Sequence, residues 1–346
     1  MNSSAVEVQV TKESELYLRF KDERPCWPFI GLSLTFGMLA TVGIVLNTLH
    51  IYVTIKTKSL HGTSFILLAL ISAFESVHLS GHFLFPFIAL SGQNFIDFAL
   101  AAKICAPSFL ALQCIGLLML FTGIDRLISI MFPIFYKMKK SIYIFAVFFI
   151  CTIKSIYAFV LLIKTINSSK MSTVRIPGFF GDLFQAEDLN GLPSQIGFYI
   201  NITTVIVYIA IGIFLWAKPI IENSATNVDQ QRNKKIFKSL CLIISVNIGG
   251  YASQIAFRIF ILPSFKSSIT IWFGLVISAI PLVICAISNA PILYYTSSQY
   301  REAFAVELKK FSSLVGLGNL SPGNNTIGAN GQLFQTPAIQ LISGAN

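Results

Sequence analysis

The sequence predicts an all-α membrane protein, a seven-transmembrane-helix bundle followed by a short amphipathic helix on the inner leaflet. Three observations carry this. Hydrophobic residues make up 54% of the 346 positions, charged residues only 12%, and Phe alone supplies 31, a balance foreign to a water-soluble domain. A hydrocarbon core of about 30 Å takes about 20 apolar residues to cross, and seven charge-poor runs of that length occur. The Lys and Arg residues between those runs gather on one side.

Residues 1–26 mix charged and polar positions without an apolar core, so they predict an extracellular arm, with the first span acting as its own signal anchor. The spans are expected near Trp27–Ile55, Phe65–Leu90, Ala106–Phe132, Ile142–Ile166, Leu192–Ala217, Ile236–Leu262 and Ile269–Tyr295. Residues 27–298 form one membrane domain. With the N-terminus outside, the inner segments hold thirteen Lys and Arg against four acids, and the outer segments nine against nine. The net charge of +10 is then a property of the cytoplasmic face, suited to anionic lipid of the bilayer and to a cytosolic partner. Asn2-Ser3-Ser4 and Asn167-Ser168-Ser169 match the glycosylation sequon in outer segments. A similar triplet at Asn201 lies inside the fifth span and is discounted.

After the seventh span, Tyr300, Phe304, Leu308, Phe311 and Val315 recur at helical spacing among charged residues, which predicts an amphipathic juxtamembrane helix over 299–315. Residues 316–346 carry no charge and are rich in Gly, Asn, Ser and Gln, the composition of a disordered cytoplasmic tail. The Lys and Arg are scattered among connections, so no nucleic-acid partner is expected. No His or carboxylate cluster has metal or acid-base spacing. His78 and His82 lie one turn apart without the Glu of a zinc protease, and they read as polar contacts within the second span. An enzyme, a cofactor and a metal site are therefore not expected. A secondary transporter is the weaker alternative, since no matched pair of broken hydrophobic segments is present.

Apart from Lys164 and Lys238 at span ends, five charged residues interrupt the spans. Asp125 and Arg126 sit side by side in "GIDRLISIMFP", Gly123 to Pro133, at the end of the third span. Charges cost roughly 2.5–3.5 kcal/mol each at a membrane helix centre. Lys154 lies near the middle of the fourth span and should face the bundle, where Glu75 of the second span is the nearest acid by depth. Arg258, near the outer end of the sixth span, either snorkels to water or meets a negative group of a ligand.

The Asp-Arg pair, the Pro seven residues after the Arg, and a Pro-x-x-Tyr at the end of the seventh span resemble the rhodopsin-like G-protein-coupled receptors. "GIDRLISIMFPIFYK" (Gly123 to Lys137), "NAPILYYTSSQYREAF" (Asn289 to Phe304) and "GIVLNTLHIYVTIKTKSLH" (Gly43 to His61) are similar to the Srsx class of nematode serpentine chemoreceptors, over roughly Leu32 to Phe304. The resemblance implies a receptor in the plasma membrane, with a small-molecule ligand on the outer side and a heterotrimeric G protein on the inner. It assigns coupling and switching to Asp125, Arg126, Pro133, Pro291 and Tyr294. Asn47, Glu75, Lys154 and Asn289 would form an intramembrane polar network. Glu75 stands where most relatives have Asp, and reads either as an ion-organising acid or as a protonated Glu hydrogen-bonded in the bundle. Asn289 stands one place before the usual Asn of Asn-Pro-x-x-Tyr, which a helix turns through about 100°.

Ligands of such receptors enter between spans three, five, six and seven, where this chain offers Ser108, Phe109, Leu112, Tyr199, Tyr251, Gln254 and Arg258. Ser108, eighteen residues before Arg126, occupies the place where amine receptors carry Asp, so a cationic amine is disfavoured. A small, mostly apolar or pheromone-like molecule is expected, with a neuropeptide or other endogenous ligand as the alternative. The usual Cys of the second outer loop is missing from residues 167–191. Cys26 and Cys105 remain as outer candidates for a disulfide, or as two unpaired thiols.

Overall fold

The computed structural model describes residues 15–132, 140–168, 171, 174–186, 189, 191–221 and 227–314. The sequon at Asn2, Pro133 with the connection to residue 139, and the tail from residue 316 lie outside them. Among the described residues, seven helices are long and apolar enough to cross a membrane: Trp27–Lys56, Thr63–Leu90, Phe98–Met131, Ser141–Ile166, Gln195–Phe214, Lys238–Ser264 and Ser268–Ile287, spans one to seven. A multi-pass membrane protein follows. Each run forms a helix because lipid offers no partner to a bare backbone N–H or C=O, and a helix satisfies both internally.

Span three starts eight residues before the expected Ala106. Phe98, Ala101 and Ala102 are buried against span four and the connection that follows it, and this packing extends the helix past the exposed Lys103. Span two passes through a short 3-10 turn at Gly81–Phe83 before resuming as Leu84–Leu90. Span seven is interrupted at Ser288. Pro291 has no N–H to give the carbonyl of Ile287, and the chain resumes as helix Asn289–Thr296. Helix Ser298–Leu314 follows. Its residues to Ala305 belong to the bundle, and there Tyr300 and Phe304 are buried in protein, a difference from a helix that spends its apolar face on lipid. From Val306 the chain forms a second unit, in which Lys310 Nζ donates to Glu307 at 2.6 Å.

The connection between spans four and five supplies a strand, Arg175–Ile176, antiparallel to Ile96–Asp97. Arg175 Nε reaches Asp97 Oδ1 at 3.0 Å across them, an exposed pair whose contribution is small. Beyond it, Gly178 adopts φ 87°, and a Cβ there would come within 3.3 Å of Ile88. This turn aims Phe179 and Phe180 into the bundle, where Trp272 Nε1 of span seven donates to Asp182 at 2.8 Å. Gly178→Ala should lower the stability of the purified protein by about 1–2 kcal/mol, read as its melting midpoint. The loss should exceed that of Gly92→Ala, where φ is 72° but nothing lies within 4 Å of the added Cβ.

Candidate functional site

Two polar regions stand apart along the bundle. The first is a cavity of about 230 Å³ walled by spans two to seven and by the connection carrying Gly178. Leu112, Tyr251, Gln254 and Arg258 line it. Ser108, Phe109 and Tyr199 do not. The Ser108 hydroxyl donates to the Val77 carbonyl at 2.8 Å, on the face of span three that packs against span two. Phe109 is fully buried beside Phe184, their rings 5.7 Å apart, and Tyr199 is 66% exposed on the outer surface of span five. Depth along a helix identified these three; the rotation of the helix turned them away.

The cavity is completed by groups that depth alone did not single out. Phe179, Phe180 and Phe184 enter from the connection, and Gln113, Lys154, His78 and His82 from spans three, four and two. His78 and His82 are buried with ring centroids 5.4 Å apart, and His82 stacks on Phe36 at 5.5 Å. Among the described residues, neither ring nitrogen of His82 has a hydrogen-bond partner. The one-turn spacing of these residues was visible in the sequence, but nothing local said that they faced a space.

Lys154 is not paired with Glu75: no ion pair joins them among the described residues. Lys154 lies beside Cys114 and Cys151, and Cys114 Sγ is 3.0 Å from Ser155 Oγ. Glu75, 4% exposed, instead lies in the electrostatic neighbourhood of Tyr251 and Cys285 in spans six and seven. The two side chains have matching depth and different facing. Cys26 and Cys105 are free thiols. They belong to separate core clusters, Cys105 directing its thiol to the Gly81 carbonyl at 3.7 Å, and burial pushes the Cys26 thiol up from its ordinary pKa. Asn167 is exposed in the turn after span four.

The second region surrounds Arg126. Its Nε lies 3.8 Å from Asp125 Oδ2, and Asp125, 1% exposed, accepts from the Ser64 hydroxyl of span two. The Arg126 guanidinium lies 6.0 Å from the centre of the Phe65 ring, a cation–π contact. Phe65 in turn meets Tyr300 edge to face at 5.5 Å. Tyr300 shares its hydroxyl with His50 Nε2 at 3.2 Å and Thr54 at 3.1 Å, while His50 Nδ1 reaches Ser72 at 2.7 Å. Burial pushes the Tyr300 phenol up from its ordinary pKa, which keeps the hydroxyl neutral. Span five closes on this region because Gly123 is bare: a Cβ there would come within 2.7 Å of the Tyr208 ring. Tyr208 lies within electrostatic reach of both Asp125 and Arg126.

Between the two regions, Asn47 of span one donates to the Ala286 carbonyl of span seven at 3.2 Å. Asn247 of span six donates to Asn289 Oδ1 at 3.3 Å, directly after the break in span seven. Asn289 thus has a partner, one not identified from the sequence. Tyr294 is 37% exposed and packs against Tyr295 and Phe304 at 5.4 and 6.1 Å, rather than toward Arg126.

Tyr300→Phe should lower the melting midpoint by an amount equivalent to about 1 kcal/mol. Tyr294→Phe should change it less, since the Tyr294 hydroxyl makes no hydrogen bond among the described residues. Glu75→Gln and Lys154→Met should act additively, within about 0.5 kcal/mol in a double-mutant cycle; a larger coupling would restore the pair.

A family profile described as serpentine type 7TM GPCR chemoreceptor Srsx matches residues 40–308. No match occurs among curated proteins. The matched segment begins inside span one, ends beyond Tyr300, and contains every residue named here as lining the cavity together with the whole Arg126 region. The chain belongs to the Srsx family of serpentine seven-transmembrane GPCR chemoreceptors.

Proposed function

We propose that the protein is a chemosensory receptor of the plasma membrane, with its N-terminus extracellular and its C-terminus cytoplasmic. A small ligand with a mostly apolar body binds in the cavity and promotes coupling to a heterotrimeric G protein beside Arg126. The observation that carries this is one of placement. Span three lines the cavity at Leu112, Gln113 and Gly116 and carries the Asp125–Arg126 pair in its last turns, about 15 Å further along at 1.5 Å per residue. One helix therefore serves both places.

The chemistry at the two places differs in the way such a reading needs. Aromatic and aliphatic side chains dominate the cavity wall, and Phe179, Phe180 and Phe184 take up part of its span. This favours a small molecule over a peptide. At the other end, Asp125, itself accepting from Ser64, pairs with a cation that stays 15% exposed, with basic connections nearby in sequence. Such a cation can exchange an internal partner for an incoming one, a two-state latch. The ligand must bind the coupled arrangement more tightly, because equal affinity for both would shift nothing. The basic excess on the same side supports the orientation and suits the anionic cytoplasmic leaflet.

Cells expressing the receptor, challenged with a panel of volatile and pheromone-like compounds, should recruit Gα and change cAMP or calcium. Arg126→Ala should reduce that recruitment about tenfold or more, the size expected for a lost charge-assisted contact, with surface expression within about twofold. Silence at full surface expression, accompanied by solute or ion flux, would refute the receptor reading.

A further inference from the structure

We infer that the ligand of the cavity is a small organic acid, whose anionic group is held by Arg258, Lys154 and His82 while its apolar body lies among Phe179, Phe180 and Leu112. This rests on the cavity being the ligand site and specifies the chemistry that fills it.

The cavity wall has two cationic side chains and, among the described residues, no Asp or Glu. Glu75 does not line it, and Asp182 is held by the Trp272 indole on the far side of the connection. Both side chains are partly buried, and inside a membrane domain an anion placed beside them would supply a favourable countercharge. The protein groups around Lys154 are the thiols of Cys114 and Cys151, which are no substitute for a carboxylate. Arg258 sits in a turn of π-helix, Phe257–Ile261, a local widening that recurs at functional sites. Its Nε is buried and has no hydrogen-bond partner among the described residues, and its side chain lines the cavity.

The hydrogen-bonding groups argue the same way. His82 is 3% exposed and both of its ring nitrogens lack partners among the described residues. An imidazole offers an N–H in either protonation state, as do the amides of Gln113 and Gln254 on the same wall. Lys154 and Arg258 can only donate. The site therefore presents a large excess of donors, which an acceptor-only group such as a carboxylate satisfies and an ammonium cannot. The volume, about 230 Å³, lies just below the roughly 300–1,000 Å³ of ordinary small-molecule pockets and sets the size of the acid.

The test is direct binding. Full-length receptor in phosphatidylcholine nanodiscs is melted in the presence of straight-chain acids from butanoate to decanoate and of phenylalkanoates, each beside its methyl ester and the amine of the same skeleton. At least one acid should raise the melting midpoint saturably while its ester and amine do not. Lys154→Met and Arg258→Gln should each weaken that binding about tenfold or more, and Arg258→Lys should weaken it less. Lys154→Met removes a charge from the membrane, so loss of folding is not its expected effect, and the unliganded melting midpoint checks this. Stabilisation by esters, alcohols or amines but by no acid, by nothing in the panel, or by acids equally in both variants would overturn the inference. A neutral compound that recruits Gα would overturn it and leave the receptor reading standing. An acid that binds without recruiting Gα would do the reverse.

Discussion

Inside a bilayer no water is at hand for a polar group, and this scarcity organises the whole bundle. Most hydroxyls in the spans return to their own helix: Thr54 to His50, Thr122 to Leu118, Thr165 to Leu161 and Thr204 to Ile200, all at 2.7–2.9 Å. Few bonds remain to cross between helices. Because lipid tails are as apolar as Leu, helix association there depends on close packing and on those few bonds. Asn47 to Ala286, Asn247 to Asn289, Ser108 to Val77 and His50 to Ser72 and Tyr300 thus fix helix positions out of proportion to their number. Gly123 admits Tyr208 by the other route, the removal of a side chain.

The same constraint separates the charged groups into two kinds. Asp125 and Arg126 form an ion pair, with Ser64 and Phe65 completing their surroundings. Lys154 and Arg258 have no carboxylate among the described residues within ion-pair distance, and both turn to one cavity. A bundle that tolerates two such cations gains from whatever anion neutralises them.

The seven spans were legible because length and apolarity are properties of a run, summed over twenty residues. Facing was not. Ser108, Phe109 and Tyr199 stand at the right depth and on the wrong sides, since a single residue turns a helix by about 100° and every side of a membrane span is apolar enough to hide the difference. Lys154 and Glu75 failed as a pair for the same reason. Phe179 and Phe180 sit on a connection with no periodicity to read, and their placement depends on the left-handed turn at Gly178. Arg126 stands out because two adjacent charges at the edge of a charge-free run are conspicuous in sequence. Asn247 was missed because an isolated amide in a span means nothing until its partner, Asn289, is brought within 3.3 Å by the break at Ser288.

Span six joins these places, and its energetics bear on what a ligand must supply. Tyr251, Gln254 and Arg258 face the cavity, Asn247 holds Asn289 one turn further along, and Leu240, Ile243 and Ile244 pack into the core cluster that contains Tyr208. The Asn247–Asn289 bond links neutral amides at 3.3 Å, a contact worth about 1 kcal/mol. It is weak enough to be exchanged. Driving a two-state bundle from about 1:99 to 99:1 takes about 5.5 kcal/mol of differential affinity. One neutral hydrogen bond is far short of that, whereas charge-assisted bonds contribute about 1.5–3 kcal/mol each. An anion drawn to Arg258 on span six and Lys154 on span four reaches the required range with two or three such contacts, provided that they form only when the spans close around it. On the proposed reading, the two cations of the cavity supply driving force as well as recognition.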